Sequence, residues 1–196
     1  MIISLPSGDF RAYLFDCDGT IVDSMPLHYR AWKQALDEWD CAFPEDLFYA
    51  WGGRPVTDII ASLNADRGLA MPVETVARRR ELLFREYLPQ LTPVPGILAH
   101  IDDACGRIPT AVVSGSTRDS VTSSLDTLGL LDRFDVLVCA EDYTRAKPDP
   151  EGFLRAAGHL GVAPEHCLVF EDTEMGIRAA TAAGMASVRV PQSRRG

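Results

Sequence analysis

Past residue 92 the chain alternates short apolar runs with helical stretches, and each apolar run breaks off in polar residues. This alternation constrains the fold more than any other feature. The runs Arg11–Phe15, Pro109–Val113, Val136–Cys139, Leu168–Phe170 and Ala186–Val190 read as strands. Ile97–Cys105, Asp119–Leu128, Pro150–Leu160 and Glu174–Ala183 read as the helices between them, several ending at Gly129, Gly161 or Gly184. Strands that alternate with helices of this length predict an α/β fold, a Rossmann-like parallel sheet covered on both faces.

One segment interrupts the pattern. Residues 23–91 carry no clear strand, and Thr92-Pro93-Val94-Pro95-Gly96 closes them off. Met25–Trp39 has Leu27, Ala31, Ala35 and Trp39 at helical spacing. Pro55–Asn64 and Pro72–Leu88 read as further helices with proline near the start. The expected organisation is an α/β core over 1–22 and 92–196 with a helical subdomain, 23–91, inserted after the first strand.

Four strand ends carry the polar groups. They are Asp16 and Asp18; Ser114, followed by Gly115 and Ser116; Lys147, just beyond Glu141 and Asp142; and Glu171-Asp172. In open α/β sheets ligands bind at the carboxyl ends of the strands, so these groups are expected to converge. Four carboxylates in one pocket repel one another and call for cations. Lys147 supplies one charge. Mg²⁺ suits the rest, because it takes few carboxylates, keeps water and binds substrate phosphate. Ser114 and the amides near Gly115, ahead of a helix, suit phosphate oxygens. One such acid alone would more often be a cap or a solvated loop residue; four strand ends together weaken that explanation.

Composition excludes several classes. Acids outnumber bases 28 to 19 for a net charge of −9, which argues against a nucleic-acid binder. No apolar run is long enough to span a membrane, and Met1–Phe10 lacks a signal-peptide layout. Five scattered cysteines read as reduced core thiols. The chain is therefore expected to be cytoplasmic; it is taken as a monomer, a state that composition does not decide.

The motifs resemble those of the haloacid dehalogenase superfamily in order: Asp16-Cys17-Asp18-Gly19-Thr20, Ala111-Val112-Val113-Ser114, Lys147-Pro148, and Glu171-Asp172 with Gly176 and Ala179. Asp23-Ser24-Met25-Pro26-Leu27-His28 and the residues after it resemble the start of the helical cap in the β-phosphoglucomutase-like subgroup. The short length is most similar to that subgroup's small fructose-1-phosphate or 6-phosphogluconate phosphatases. The resemblance implies Asp16 as nucleophile and Asp18 as acid and base. It implies Mg²⁺ on Asp16, the Asp18 carbonyl, Asp172 and, directly or indirectly, Glu171. Thr20 would position Asp18 or phosphate, and Ser114, Gly115 and Lys147 would bind phosphate. His28, Gly53, Arg54 and Arg80 would face a phosphomonoester substrate from the cap.

The same core serves a mutase. The mutase pattern places Arg three residues and Ser six residues after the cap-loop glycine. Counting from Gly53, this chain has Val56 and Ile59. That points to a phosphatase over a β-phosphoglucomutase, since unmatched phosphate charge is costly to bury. A non-catalytic Mg²⁺-dependent binding protein on the same fold is the remaining alternative.

Overall fold

The five strands all run parallel in the order β3-β2-β1-β4-β5. The structure is a computed structural model that describes residues 3–191. The expected core's residues 1–2 and 192–196 lie outside the described residues. The strands are β1 (Ala12–Phe15), β2 (Thr110–Val113), β3 (Val136–Val138), β4 (Cys167–Glu171) and β5 (Ala186–Arg189). Phe15 lies opposite Val112 on one side and Phe170 on the other. Every residue of β1, β2 and β4 is buried. Both sheet faces are covered, which is why these runs are apolar throughout rather than alternating.

Side chains still divide between the faces residue by residue. Tyr13, Phe15, Val112 and Phe170 pack on one side with α5 (Ile97–Ala104) and α6 (Arg118–Thr127). Ala12, Leu14, Val113 and Val169 pack on the other with α7 (Glu151–Leu160) and α8 (Glu174–Ala182).

Between β1 and α5 the chain makes four helices: α1 (Met25–Asp37), α2 (Glu45–Ala50), α3 (Val56–Arg67) and α4 (Val73–Tyr87). They bury a third cluster that includes Trp32, Phe43, Phe48, Ile60, Leu63 and Val76. The two connecting strands of chain run side by side. Asp23 N–H donates to the Thr92 carbonyl at 2.8 Å, and Val94 N–H to that of Ile21 at 2.9 Å. Leu27, Ala31, Leu83 and Phe84 join the main core cluster, so α1 and α4 form the stalk of the helical unit.

Two expectations need correction. The first helix ends at Asp37, and Trp39 is 38% exposed rather than on its apolar face. The chain turns there: Asp40 has a φ of +50°, and Cys41 N–H returns to the Leu36 carbonyl. The short α2 was not among the expected elements. Its signals are Pro44 followed by Glu45 and Asp46 in the first turn, but six residues carry too little periodicity to read. All five cysteines are free thiols, four of them buried. Among the described residues no helix is long and apolar enough to cross a membrane.

Candidate active site

The strand order reverses direction at β1, with β2 on one side and β4 on the other. A crevice forms at such a point, beyond the carboxyl ends of the strands. A cavity of about 350 Å³ occupies it, lined by Asp16, Asp18, Ser114, Gly115, Lys147 and Glu171 from the sheet side. The helical unit contributes His28, Gly53, Arg54, Arg80, Trp51 and Ile59 to its other wall.

Asp16, Glu171 and Asp172 are all buried, and each presents a carboxylate oxygen within 4.8 Å of the other two. Lys147 Nζ donates to Asp16 Oδ1 and Glu171 Oε2, both at 2.7 Å, and to the Val113 carbonyl at 3.2 Å. Burial works against the Lys147 charge, but Asp16 and Glu171 outweigh it and raise its pKa. Burial and the neighbouring Glu171 push the Asp16 carboxyl upward, with Lys147 opposing them. Three buried carboxylates facing one ammonium leave an excess of negative charge. A hard divalent cation with oxygen ligands fits that excess.

The other oxygen of Glu171 is also engaged. Oε1 accepts from the Thr173 hydroxyl at 2.6 Å and its amide at 2.9 Å. The Thr173 hydroxyl in turn accepts from the Gly176 amide and caps α8. Glu171 is thus held from both ends.

Thr20 departs from expectation. Its fully buried hydroxyl donates to Asp172 Oδ1 at 3.2 Å, so it holds Asp172 rather than Asp18 or a phosphate. The turn explains this. Thr20, Ile21 and Val22 amides all point at the Cys17 carbonyl, which swings Thr20 under the sheet end towards β4.

Asp18 faces away from the acidic cluster. Its Oδ1 accepts from the Ser24 hydroxyl at 2.7 Å and contacts His28 Nε2 at 2.9 Å. Its Oδ2 accepts from the Ser116 hydroxyl at 2.7 Å. Burial raises the Asp18 carboxyl, but the hydrogen bonds from His28, Ser116 and Ser24 oppose it and hold it below the usual carboxylate range. Arg80 Nη2 meets His28 Nδ1. A guanidinium has no acceptor, so Nδ1 must be the unprotonated nitrogen and Nε2 carries the proton towards Asp18. Burial and the Arg80 charge lower the His28 pKa, in keeping with a neutral ring. His28 also stacks on Phe84, with ring centroids 3.8 Å apart.

Arg80 is buried while Arg78 beside it in the Arg78-Arg79-Arg80 run is exposed, since a helix cannot aim three successive residues one way. Arg54 lies over the Trp51 ring at 4.5 Å and donates to the Ser62 hydroxyl at 2.7 Å. Gly53, at φ +85°, brings its loop beside Met175 at the start of α8. Ser114 Oγ accepts from the Ser116 amide at 3.1 Å, and its carbonyl accepts from the Tyr143 hydroxyl at 2.9 Å.

Sequence reasoning missed the roles of Ser24, Ser116, Thr173 and Tyr143. From sequence Ser24 would read as an ordinary N-cap of α1, but it makes no side-chain capping bond there. Its hydroxyl is spent on Asp18 instead.

The fold and this strand-end constellation define a hydrolase class, and the chain belongs to it: residues 10–184 match the haloacid dehalogenase-like hydrolase family. Among characterised proteins it is 34% identical to fructose-1-phosphate phosphatase YqaB of Escherichia coli (strain K12), covering 92% of this chain and 96% of that one. It is 31% identical to β-phosphoglucomutase of Bacillus subtilis (strain 168), covering 93% and 84%. The crystal structure of β-phosphoglucomutase from Clostridium difficile superposes with a TM-score of 0.83 at 25% identity, over 91% of this chain and 83% of that one.

Proposed function

We propose that this protein is a Mg²⁺-dependent phosphatase that hydrolyses a small sugar phosphate through an aspartyl phosphate. Residues 1–22 and 92–196 act as the catalytic core and 23–91 as its cap. The observation that carries the reading is the division between the two acids of one strand end. Asp16 lies among Lys147, Glu171 and Asp172, while Asp18 turns to His28 at the cap.

Asp16 and Asp172 would hold the ion, joined by the Asp18 carbonyl. Glu171 has both oxygens committed to Lys147 and Thr173, so it suits orienting them better than direct ligation. The ion supplies positive charge that lets an anionic carboxylate approach an anionic phosphate.

An Asp16 oxygen attacks phosphorus and the bond to the sugar oxygen breaks. Asp18 gives that oxygen a proton, so the sugar leaves as an alcohol. Asp18 then takes a proton from water as the water oxygen attacks phosphorus. Phosphate departs and Asp16 is restored. Ser114, the Gly115 backbone and Lys147 bear the phosphoryl oxygens. As described, Asp18 accepts three hydrogen bonds, the arrangement of a base. As an acid it carries the proton, and the Ser24 or Ser116 hydroxyl rotates from donor to acceptor.

Val56 and Ile59 lie in the cavity wall, and Arg54 is committed to Ser62 and Trp51. That wall favours a leaving group without a second phosphate, hence a phosphatase over a mutase. The similarity to fructose-1-phosphate phosphatase supports the same choice.

The test is phosphate release from fructose 1-phosphate, 6-phosphogluconate, phosphoglycolate and β-glucose 1-phosphate, with Mg²⁺ and with chelator. Turnover should need Mg²⁺ and fall by roughly a thousandfold or more in Asp16→Asn. Undiminished turnover in that variant, or in chelator, would sink the mechanism. Glucose 6-phosphate formed from β-glucose 1-phosphate faster than free phosphate would establish the mutase.

A further inference from the structure

Arg80 is a buried cation in an aromatic setting. Its side chain is 8% exposed, and its guanidinium carbon lies 5.7 Å from the Trp32 ring and 5.6 Å from the Phe84 ring. Burial lowers its pKa, and Glu81 works against that loss. An uncompensated buried charge is strongly unfavourable, so such a guanidinium stays in place only with a partner. Glu81 is that partner: its Oε2 accepts from Arg80 Nη1 at 3.2 Å. Adjacent helical residues do not normally face one another. Here two long side chains bend together over the cavity wall, which both residues line.

Among the described residues Glu81 Oε1 accepts no hydrogen bond but has a looser ion-pair partner. Arg85, one turn further along α4, brings Nε to 3.8 Å from Glu81 Oε1 and also pairs with Asp119 in the first turn of α6. A line of contacts therefore runs from Glu81 through Arg80 and His28 to Asp18.

We propose that Glu81 is a positioning residue for the acid step: it seats Arg80 on His28 Nδ1 and thereby aims the His28 Nε2 proton at Asp18. The inference rests on the phosphatase reading above. Without Glu81, Arg80 withdraws towards water, His28 loses its fixed tautomer, and Asp18 loses one of the groups that orient it towards the leaving oxygen.

Leaving-group dependence tests this. p-Nitrophenol departs as an anion with little help, whereas phenol depends more on a proton from the acid. kcat/KM reports steps up to the first irreversible one, here phosphorylation of Asp16. The experiment measures kcat/KM for p-nitrophenyl phosphate and phenyl phosphate in the full-length protein with Mg²⁺. Glu81→Ala should lose on the order of tenfold more on phenyl phosphate than on p-nitrophenyl phosphate. Glu81→Gln keeps an acceptor for Arg80 and should recover most of that difference. Arg79→Ala, which removes an exposed pair between α4 and Glu38 at the end of α1, should match wild type on both.

Equal losses on the two substrates in Glu81→Ala, or no loss on either, would overturn the inference. So would failure of Glu81→Gln to recover the difference while its melting temperature matches wild type. Asp18→Asn separates the two readings. If it steepens the leaving-group dependence and Glu81→Ala does not, the phosphatase mechanism stands and this inference alone falls. If Asp16→Asn remains active, the phosphatase mechanism itself falls.

Discussion

Gly19 follows Asp18 at a φ of +87°, and a Cβ there would collide with Asp172 Oδ2. Two constraints meet at one atom. The left-handed backbone penalises any side chain, and the added carbon would displace the Asp172 carboxylate. Gly19→Ala is therefore expected to raise the Mg²⁺ concentration for half-maximal p-nitrophenyl phosphate turnover by about tenfold, the effect typical of disturbing a ligand's support. A titration of rate against Mg²⁺ checks this, and an unchanged midpoint would refute it. The glycine belongs to the motif read directly from sequence. Its reason was not legible, because Asp172 is 153 positions away along the chain (172 less 19). Thr20 was misassigned on the same account: a hydroxyl's partner depends on which strand lies beside it.

At the scale of elements, the N-terminus of α7 organises the turn that delivers Lys147. Glu151, in the first turn of α7, accepts from the Thr144 amide and hydroxyl and from the Arg145 amide and guanidinium. Burial pushes its carboxyl up, but these bonds prevail and bring its pKa from 4.5 down to about 2. The folded value is below the unfolded one. The stabilisation is therefore complete above about pH 4.5 and is lost as pH falls towards 2. The melting temperature of Glu151→Gln should lie below wild type at neutral pH and converge on it as pH drops through that window. A constant gap would contradict the assignment. Most of the elements were readable from periodicity, with ends displaced by no more than three residues, because strand and helix periods are local. The exceptions have local causes as well. The six residues of α2 span under two turns, and the turn at Asp40 cuts α1 short of Trp39.

In the molecule as a whole, the helical unit has a core of its own. Trp32, Phe48, Ile60 and Leu63 belong to a cluster separate from the two that cover the sheet. Ile60 is fully buried there. Ile60→Ala is expected to cost about 2–5 kcal/mol and to act locally. Amide exchange should accelerate in α3 while β1 and β4 remain protected, as expected of cooperative units with separate stabilities. Equal loss of protection in the strands would mean that the two parts unfold as one. Phosphatase activity on sugar phosphates should suffer with it, because Trp32, Phe48 and Ile59 from that cluster form the wall opposite the acids. The sequence by itself determined the parallel sheet, the inserted helices and the acids, serine and lysine at the strand ends. Each strand, helix and strand-end group is signalled within a few consecutive residues, and their order along the chain gives the sheet and the insertion. Tertiary structure alone decided how Asp18 is held and that Arg80 meets His28. Ser116 lies 98 positions from Asp18, and Arg80 lies 52 from His28. Such pairings follow from which strand and helix pack together, and hydroxyls and guanidinium groups take whatever acceptor that packing provides.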